Sequence, residues 1–264
     1  MRLMAFLLLL LPFSVQAADL RIGVKEDIPY FGYYNAKGER AGIEVDFGKE
    51  LAKFLGRSPK FISVSSSQRI PFLQANKLDV VIATFSITPD RSKEVAFSEP
   101  YFETGQSVMV LADSPIQSIQ DLSSKKVGVV KGATSGPQLL KAQPQARLVE
   151  YKTYYEAYLE LLFGQVDAIS TDEVVLRGLK AIGEGAAVKL EQRKGRRPVF
   201  LLDLNRYTPG NRLRIIRPSL SHEKYGIAVR KGSPLLDKIN AWLASPSGRH
   251  TLRDIIQRHL GGES

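Results

Sequence analysis

The sequence of 264 residues contains no cysteine, three histidines and a single tryptophan. The absence of thiols excludes disulfide scaffolds, thiolate nucleophiles, cysteine-ligated zinc and iron–sulfur centres. His222, His250 and His259 have no spacing that would assemble a metal site or place a base beside a nucleophile, so neither a metal nor a cofactor is expected. A dinucleotide loop is also missing. Gly183-Glu184-Gly185 lacks the third glycine and the preceding strand, and reads as a turn. Beyond the first seventeen residues no stretch approaches 18 uninterrupted apolar residues, so no membrane span is expected. The chain lacks the signs of disorder or fibrous repetition as well. It is 44% hydrophobic and 24% charged, with 21 Gly and 14 Pro spread along it, and its length fits one large domain or two lobes.

What is present is positive charge. The 37 Lys and Arg exceed the 27 Asp and Glu by ten, a balance that suits a nucleic acid, a membrane surface or an anionic small ligand. Residues 1–17 narrow the choice: Arg2, the apolar run Leu3 to Leu11, Pro12 and the small-residue end Val15-Gln16-Ala17 have the three-part layout of a secretory signal peptide. The expected mature protein is therefore exported to the periplasm, where a nucleic-acid partner is disfavoured. The cations are also unevenly placed. Lys189 to Arg217 holds nine (Lys189, Arg193, Lys194, Arg196, Arg197, Arg206, Arg212, Arg214, Arg217) against Glu191 and Asp203, so most of the excess lies in one Pro-punctuated, weakly periodic segment read as an inserted loop or hairpin.

The remainder alternates short β-rich runs with helix-period segments, which predicts an α/β protein with mainly parallel strands. Strands are expected at 20–24, 61–64, 80–83, 108–111, 127–130, 148–149, 166–170 and 225–229. Helices are expected at 45–55, 68–75, 136–142, 154–163, 234–243 and 248–259. Thr88-Pro89 reads as an N-cap followed by proline in the first helical position.

Two strand-to-helix turns carry binding chemistry. Gly132-Ala133-Thr134-Ser135-Gly136 follows a strand and opens a helix, so its free N–H groups and the positive end of the helix dipole form a cradle for a carboxylate or phosphate. Thr84, Ser86 and Thr88 bring hydroxyls beside Arg91, whose planar fork can clamp a carboxylate through two hydrogen bonds. Asp172, between a strand and a helix, is either a plain N-cap or the anion that pairs a ligand ammonium. Thr84, Thr134 and Asp172 all fall at the C-terminal ends of strands, where ligands of α/β sheets bind.

Five segments make the chain resemble the extracytoplasmic solute-binding proteins of ABC transporters for polar amino acids: Ala83 to Arg91 (ATFSITPDR), Phe97 to Phe102 (FSEPYF), Val127 to Thr134 (VGVVKGAT), Val166 to Glu173 (VDAISTDE) and Tyr225 to Val229 (YGIAV). The resemblance runs from about Leu20 to Leu260, apart from the basic segment. It implies a two-lobed α/β periplasmic-binding-protein-like (type II) fold with two hinge strands, lobe one spanning about 18–108 plus 229–264 and lobe two about 109–228. It also implies a monomer that binds an amino acid and delivers it to an ABC permease, and no enzymatic activity. By position, Arg91 would hold the ligand α-carboxylate with Thr84, Ser86 and the Thr134 turn, and Asp172 the α-ammonium. Many relatives place an acid where Lys25 stands and an aromatic where Ser66 stands. Lys25 and Arg69 instead resemble the glutamate/aspartate-binding branch, since a second buried anionic group needs its own cation. Two alternatives share the fold: a cyclohexadienyl dehydratase, for which Glu173 is the available general acid, and a ligand-sensing module serving a separate receptor.

Overall fold

The computed structural model describes residues 18–183, 187–191, 199–203 and 212–261. The expected signal peptide and much of the basic segment lie outside the described residues. In chain order the elements are β1 (Leu20–Val24), β2 (Tyr33–Asn35), β3 (Arg40–Ala41), α1 (Ile43–Phe54), β4 (Pro59–Ser63), α2 (Arg69–Gln74), β5 (Val80–Val81), α3 (Pro89–Glu94) and β6 (Ala96–Leu111). There follow β7 (Lys126–Val130), α4 (Ser135–Ala142), β8 (Arg147–Tyr151), α5 (Tyr154–Leu162), β9 (Ala168–Asp172), α6 (Glu173–Gly183), β10 (Ala187–Glu191), β11 (Val199–Asp203), β12 (Leu213–Val229), α7 (Leu235–Ala244) and α8 (Pro246–Leu260).

Local chemistry accounts for the element ends. In α1 the apolar residues Ile43, Phe47, Leu51 and Ala52 recur on one face and are buried, each worth about 1.5–3 kcal/mol for a large side chain. The helix stops before Gly56, whose φ of +65° is open to glycine without strain. At α3 the Thr88 hydroxyl accepts from the Arg91 N–H at 3.3 Å, with Pro89 in the first turn as the sequence predicts. At α5 Thr153 and Glu156 form a reciprocal capping box.

Eight strands form one sheet in the order β4-β1-β5-β12-β6-β9-β7-β8. Its two flanks are parallel: β1 pairs with β4 and β5, and β7 pairs with β8 and β9. Between them the long strands β6 and β12 run antiparallel to each other along most of their length. Their outer partners differ from end to end, because β12 meets β5 at Ala228–Val229 while β6 meets β9 at Gln106–Met109. The two flanks are thus copies of one arrangement, joined by two continuous strands.

These two strands are longer than the sequence suggests. Expected over 108–111 and 225–229, they span 96–111 and 213–229, so the basic segment ends inside β12. The pairing register shifts near Pro100 and between Ile216 and Ser221, and these irregularities let the ladder pass proline and glycine positions that read as breaks. The start of the basic segment is part of a hairpin, one of the two forms expected for it: β10 and β11 pair antiparallel, and β11 joins β2 to make a small second sheet, β10-β11-β2-β3, that the sequence does not suggest. It anchors the start of the basic segment to the strand after the first cleft loop. Where the long strands cross, Phe31, Phe102 and Tyr225 pack with ring centroids 5.1 to 6.1 Å apart and fill the space between the flanks.

Candidate functional site

The C-terminal ends of the parallel strands from both flanks face one another across a cleft. Arg69, Thr84, Ser86, Arg91, Thr134 and Asp172 line one narrow, closely packed space, together with Gln106, Ser135 and Tyr154. Six of the eight residues singled out in the sequence are therefore brought together. Lys25 lines an adjoining cleft of about 470 Å³, its Nζ lying 5.2 Å from the centre of the Tyr154 ring, and Ser66 Oγ lies 3.5 Å from the same Nζ.

The inner space is ringed by unsatisfied polar atoms. Thr84 Oγ1, Gln106 Oε1, Ser135 Oγ and Asp172 Oδ1 are buried without a hydrogen-bond partner among the described residues. Such atoms are costly, and several of them on one small space mark a place built to receive a polar molecule. Thr84 adds a backbone signal: its φ of +42° is unusual for a β-branched residue. The carboxyl of Glu44, wholly buried on α1, accepts from the Lys25 N–H at 3.0 Å and so holds the chain segment that carries Lys25. Burial pushes the Glu44 carboxyl up to about 8, against hydrogen bonds that favour its anion.

The two arginines differ in what they have left to offer. Arg91 donates from Nη1 to the Ser86 carbonyl (2.8 Å) and from Nη2 to the Gly132 carbonyl (2.9 Å), which engages two of its five N–H groups. Burial, and then the charge of Arg69, lower its guanidinium to about 9. Arg69 donates to the carbonyls of Ser66, Ala83, Thr84 and Gly132 at 2.9–3.0 Å, engaging four of its five. It also stacks 4.2 Å from the Phe85 ring centre and is buried. Both arginines come from the first flank, and their shared acceptor, Gly132, lies in the turn after β7 on the second. The turn fits there because Gly132 has φ +83° and no side chain: a Cβ would stand 2.8 Å from Ser67 Cα and N.

At the opposite side of the inner space Asp172 accepts a short hydrogen bond from the Tyr225 hydroxyl. Burial, with a contribution from the charge of Glu223, pushes its carboxyl up to about 6. Glu223, also buried, accepts from Ser221 Oγ at 3.1 Å and lies 3.5 Å from Thr134 Oγ1, which in turn accepts from Gln106 Nε2. Lys25 is not a free cation. Its Nζ is 3.0 Å from Asp27 Oδ1, and both side chains are almost wholly shielded from solvent. Glu173, the general acid an enzymatic reading would require, is bound by Arg177 and Arg217 and accepts from Ser219, which together hold its carboxyl below the usual range. An acid kept ionised in this way is poorly suited to protonate a leaving group.

Sequence reasoning placed Ser135 in the cradle turn but did not single out Asp27, Glu44, Gln106, Tyr154, Glu223 or Tyr225 as site residues. Gln106, Glu223 and Tyr225 reach the site only through the register of β6 against β12 and β9, which local patterning does not reveal. Asp27 was within reach of the sequence, standing two residues after Lys25 past the end of β1.

With this geometry in place, comparison with known proteins identifies the class. The chain belongs to the bacterial extracellular solute-binding proteins, family 3, whose profile matches residues 20–262. It is 37% identical over 227 residues to the ABC transporter glutamine-binding protein GlnH of Bacillus subtilis, covering 84% of this chain and 73% of that one. It is 26% identical over 261 residues to the glutamate-binding protein GluB of Corynebacterium efficiens, covering 95% and 82%. Among solved structures, an ancestral arginine-binding protein bound to glutamine matches with TM-score 0.77 and 36% identity over 92% of this chain and 98% of that one. The chain is an amino-acid-binding protein of the ABC transport class, and these relatives are binding proteins rather than enzymes.

Proposed function

We propose that the protein binds an acidic amino acid, glutamate or aspartate, outside the cytoplasm and hands it as a monomer to the permease of an ABC transporter. The observation that carries this reading is a pair of buried cations besides Arg91, Lys25 in the neighbouring cleft and Arg69 on the border of the inner space. In this reading Arg91, with its three unengaged N–H groups, receives the α-carboxylate. Thr84, Ser86 and the turn at Thr134 add hydrogen bonds, and the carboxylate of Asp172 holds the α-ammonium. Lys25, Arg69 and Ser66 surround the distal group. The lobes are about 18–108 with 229–264 and about 109–228, hinged on β6 and β12 where their partner strands change. A ligand with opposite charges at its two ends contacts both lobes only when they are together, and that difference in affinity drives closure. Export through a cleavable segment at 1–17 places the protein where such a ligand is captured.

A second reading, an amide ligand, is favoured by Asp27, which already neutralises Lys25 at 3.0 Å, and by the glutamine-binding name of a relative. Incubating the purified protein with an equimolar mixture of amino acids, desalting, denaturing and identifying the retained molecule by mass spectrometry separates the two. Glutamate or aspartate supports the acidic reading; glutamine replaces it with the amide reading; retention of a cationic amino acid overturns both.

A further inference from the structure

We propose that Asp27 sets the balance between a carboxylate and its amide at the distal end of the site, by holding Lys25 in a buried ion pair that an incoming carboxylate has to share. The inference rests on the reading above in one respect: the distal group of the ligand lies beside Lys25.

Asp27 is fixed from two directions. Its Oδ1 is 3.0 Å from Lys25 Nζ, and its Oδ2 accepts from the backbone N–H of Tyr154 at 2.9 Å. Tyr154 is the first residue of α5 and belongs to the second flank, so Asp27 bridges the cleft as well as pairing the lysine. Rotating it away would strand a buried ammonium and a buried N–H together, which keeps the carboxylate in place. Lys25 and Asp27 therefore present a local charge of zero. A distal carboxylate adds a second anion beside one ammonium, at a pair whose side chains are almost wholly shielded from solvent, and the two carboxylates repel. An amide adds no charge: its oxygen accepts from Lys25 while its NH2 donates to Asp27. Arg69 offsets little of this by direct contact, since four of its five N–H groups are held by main-chain carbonyls. Asp27 thus acts against the acid and for the amide, a repulsive element of specificity standing beside an attractive one.

Asp27→Asn keeps the size of the side chain and an oxygen for the Tyr154 N–H while removing the charge. Calorimetric titration of glutamate and glutamine at pH 7.5, on wild type and on this variant, gives the ratio of Kd for glutamine to Kd for glutamate. The ratio is expected to rise at least fivefold in Asp27→Asn; a smaller rise, no change or a fall overturns the proposal. Should that variant fold poorly by circular dichroism, Asp27→Ser removes the same charge and is held to the same threshold. Tighter glutamine binding by wild type would remove the acidic reading but leave this one standing, because the proposal concerns the change in ratio. Binding of neither ligand by wild type would overturn both together.

Discussion

The two ends of the cleft are built on opposite principles. Around the inner space, Thr84, Gln106, Ser135 and Asp172 each leave a buried polar atom unsatisfied among the described residues, and Arg91 gives only two of its five N–H groups to them. The two cations proposed for the distal group are already satisfied: Lys25 by Asp27, and Arg69, on the border of the inner space, by four carbonyls. An end with unmet hydrogen bonds gains strongly from any molecule that meets them and loses strongly when one partner is removed. An end with internal partners trades one set of interactions for another, so it discriminates between ligands more than it holds them. In the proposed reading the first end supplies affinity common to α-amino acids, and the second supplies the choice of side chain.

The sharpest way to break this contrast is to delete a charge at the inner end. Arg91→Ala and Asp172→Asn are each expected to weaken binding by roughly 100-fold or more, about 3 kcal/mol, and by similar factors for glutamate and glutamine, as read by calorimetry. Lys25→Met, at the distal end, is expected to weaken glutamate by about tenfold and glutamine by less, so the two substitutions differ in pattern as well as size. Gly132→Ala acts on neither end but on their meeting. With φ at +83° and Ser67 Cα 2.8 Å from the new Cβ, the substitution holds the turn off the first flank and is expected to cost about 1–2 kcal/mol of affinity for every ligand.

Acidity sharpens the comparison further. Asp172 must be ionised to hold an ammonium, and its carboxyl is pushed up to about 6 by burial, with the Tyr225 hydroxyl bond opposing the rise and the charge of Glu223 adding to it. Ligand affinity is expected to fall as pH drops below about 6, approaching tenfold per unit, in titrations from pH 7.5 to 5. Glu44 gives an effect on the fold itself. Its carboxyl is raised from 4.5 to about 8, so the stability tied to its protonated form is fully present below pH 4.5 and is lost as pH rises through 8. Glu44→Gln lacks that loss. Its unfolding free energy relative to wild type is therefore expected to increase between pH 4.5 and 8, by up to a few kcal/mol in urea titrations.

Much of the architecture was legible because local chemistry and tertiary packing agree in it. The alternation of β-rich runs with capped helices carries the parallel flanks, and Thr88-Pro89 and the Thr134 turn mark strand-to-helix junctions where the site sits. The long strands were illegible for a definite reason: Pro100 and Pro218 interrupt their local pattern, while register shifts in the β6–β12 ladder carry the pairing across them. Within the site, residues on the strand-end turns announced themselves by chemical type. Gln106 and Tyr225 did not, since a glutamine and a tyrosine inside strands have no local mark of a binding role and reach Asp172 only through pairing between distant segments. Arg69 shows the opposite limit. Its charge was visible, but its engagement by the carbonyls of Ala83, Thr84 and Gly132 depends on loops from both flanks folding around it.

The central claim is that a common α-amino-acid grip is joined to surroundings of the distal group in which two buried cations, Lys25 and Arg69, outnumber the one carboxylate, Asp27, and so favour an acid even though Asp27 opposes it. Parallel calorimetric titrations of the purified protein with glutamate, aspartate, glutamine and arginine at pH 7.5 test it most directly. The account predicts that glutamate or aspartate binds most tightly, with glutamine weaker and arginine weaker still. Glutamine or arginine binding as tightly as the acidic amino acids, or more tightly, would contradict it.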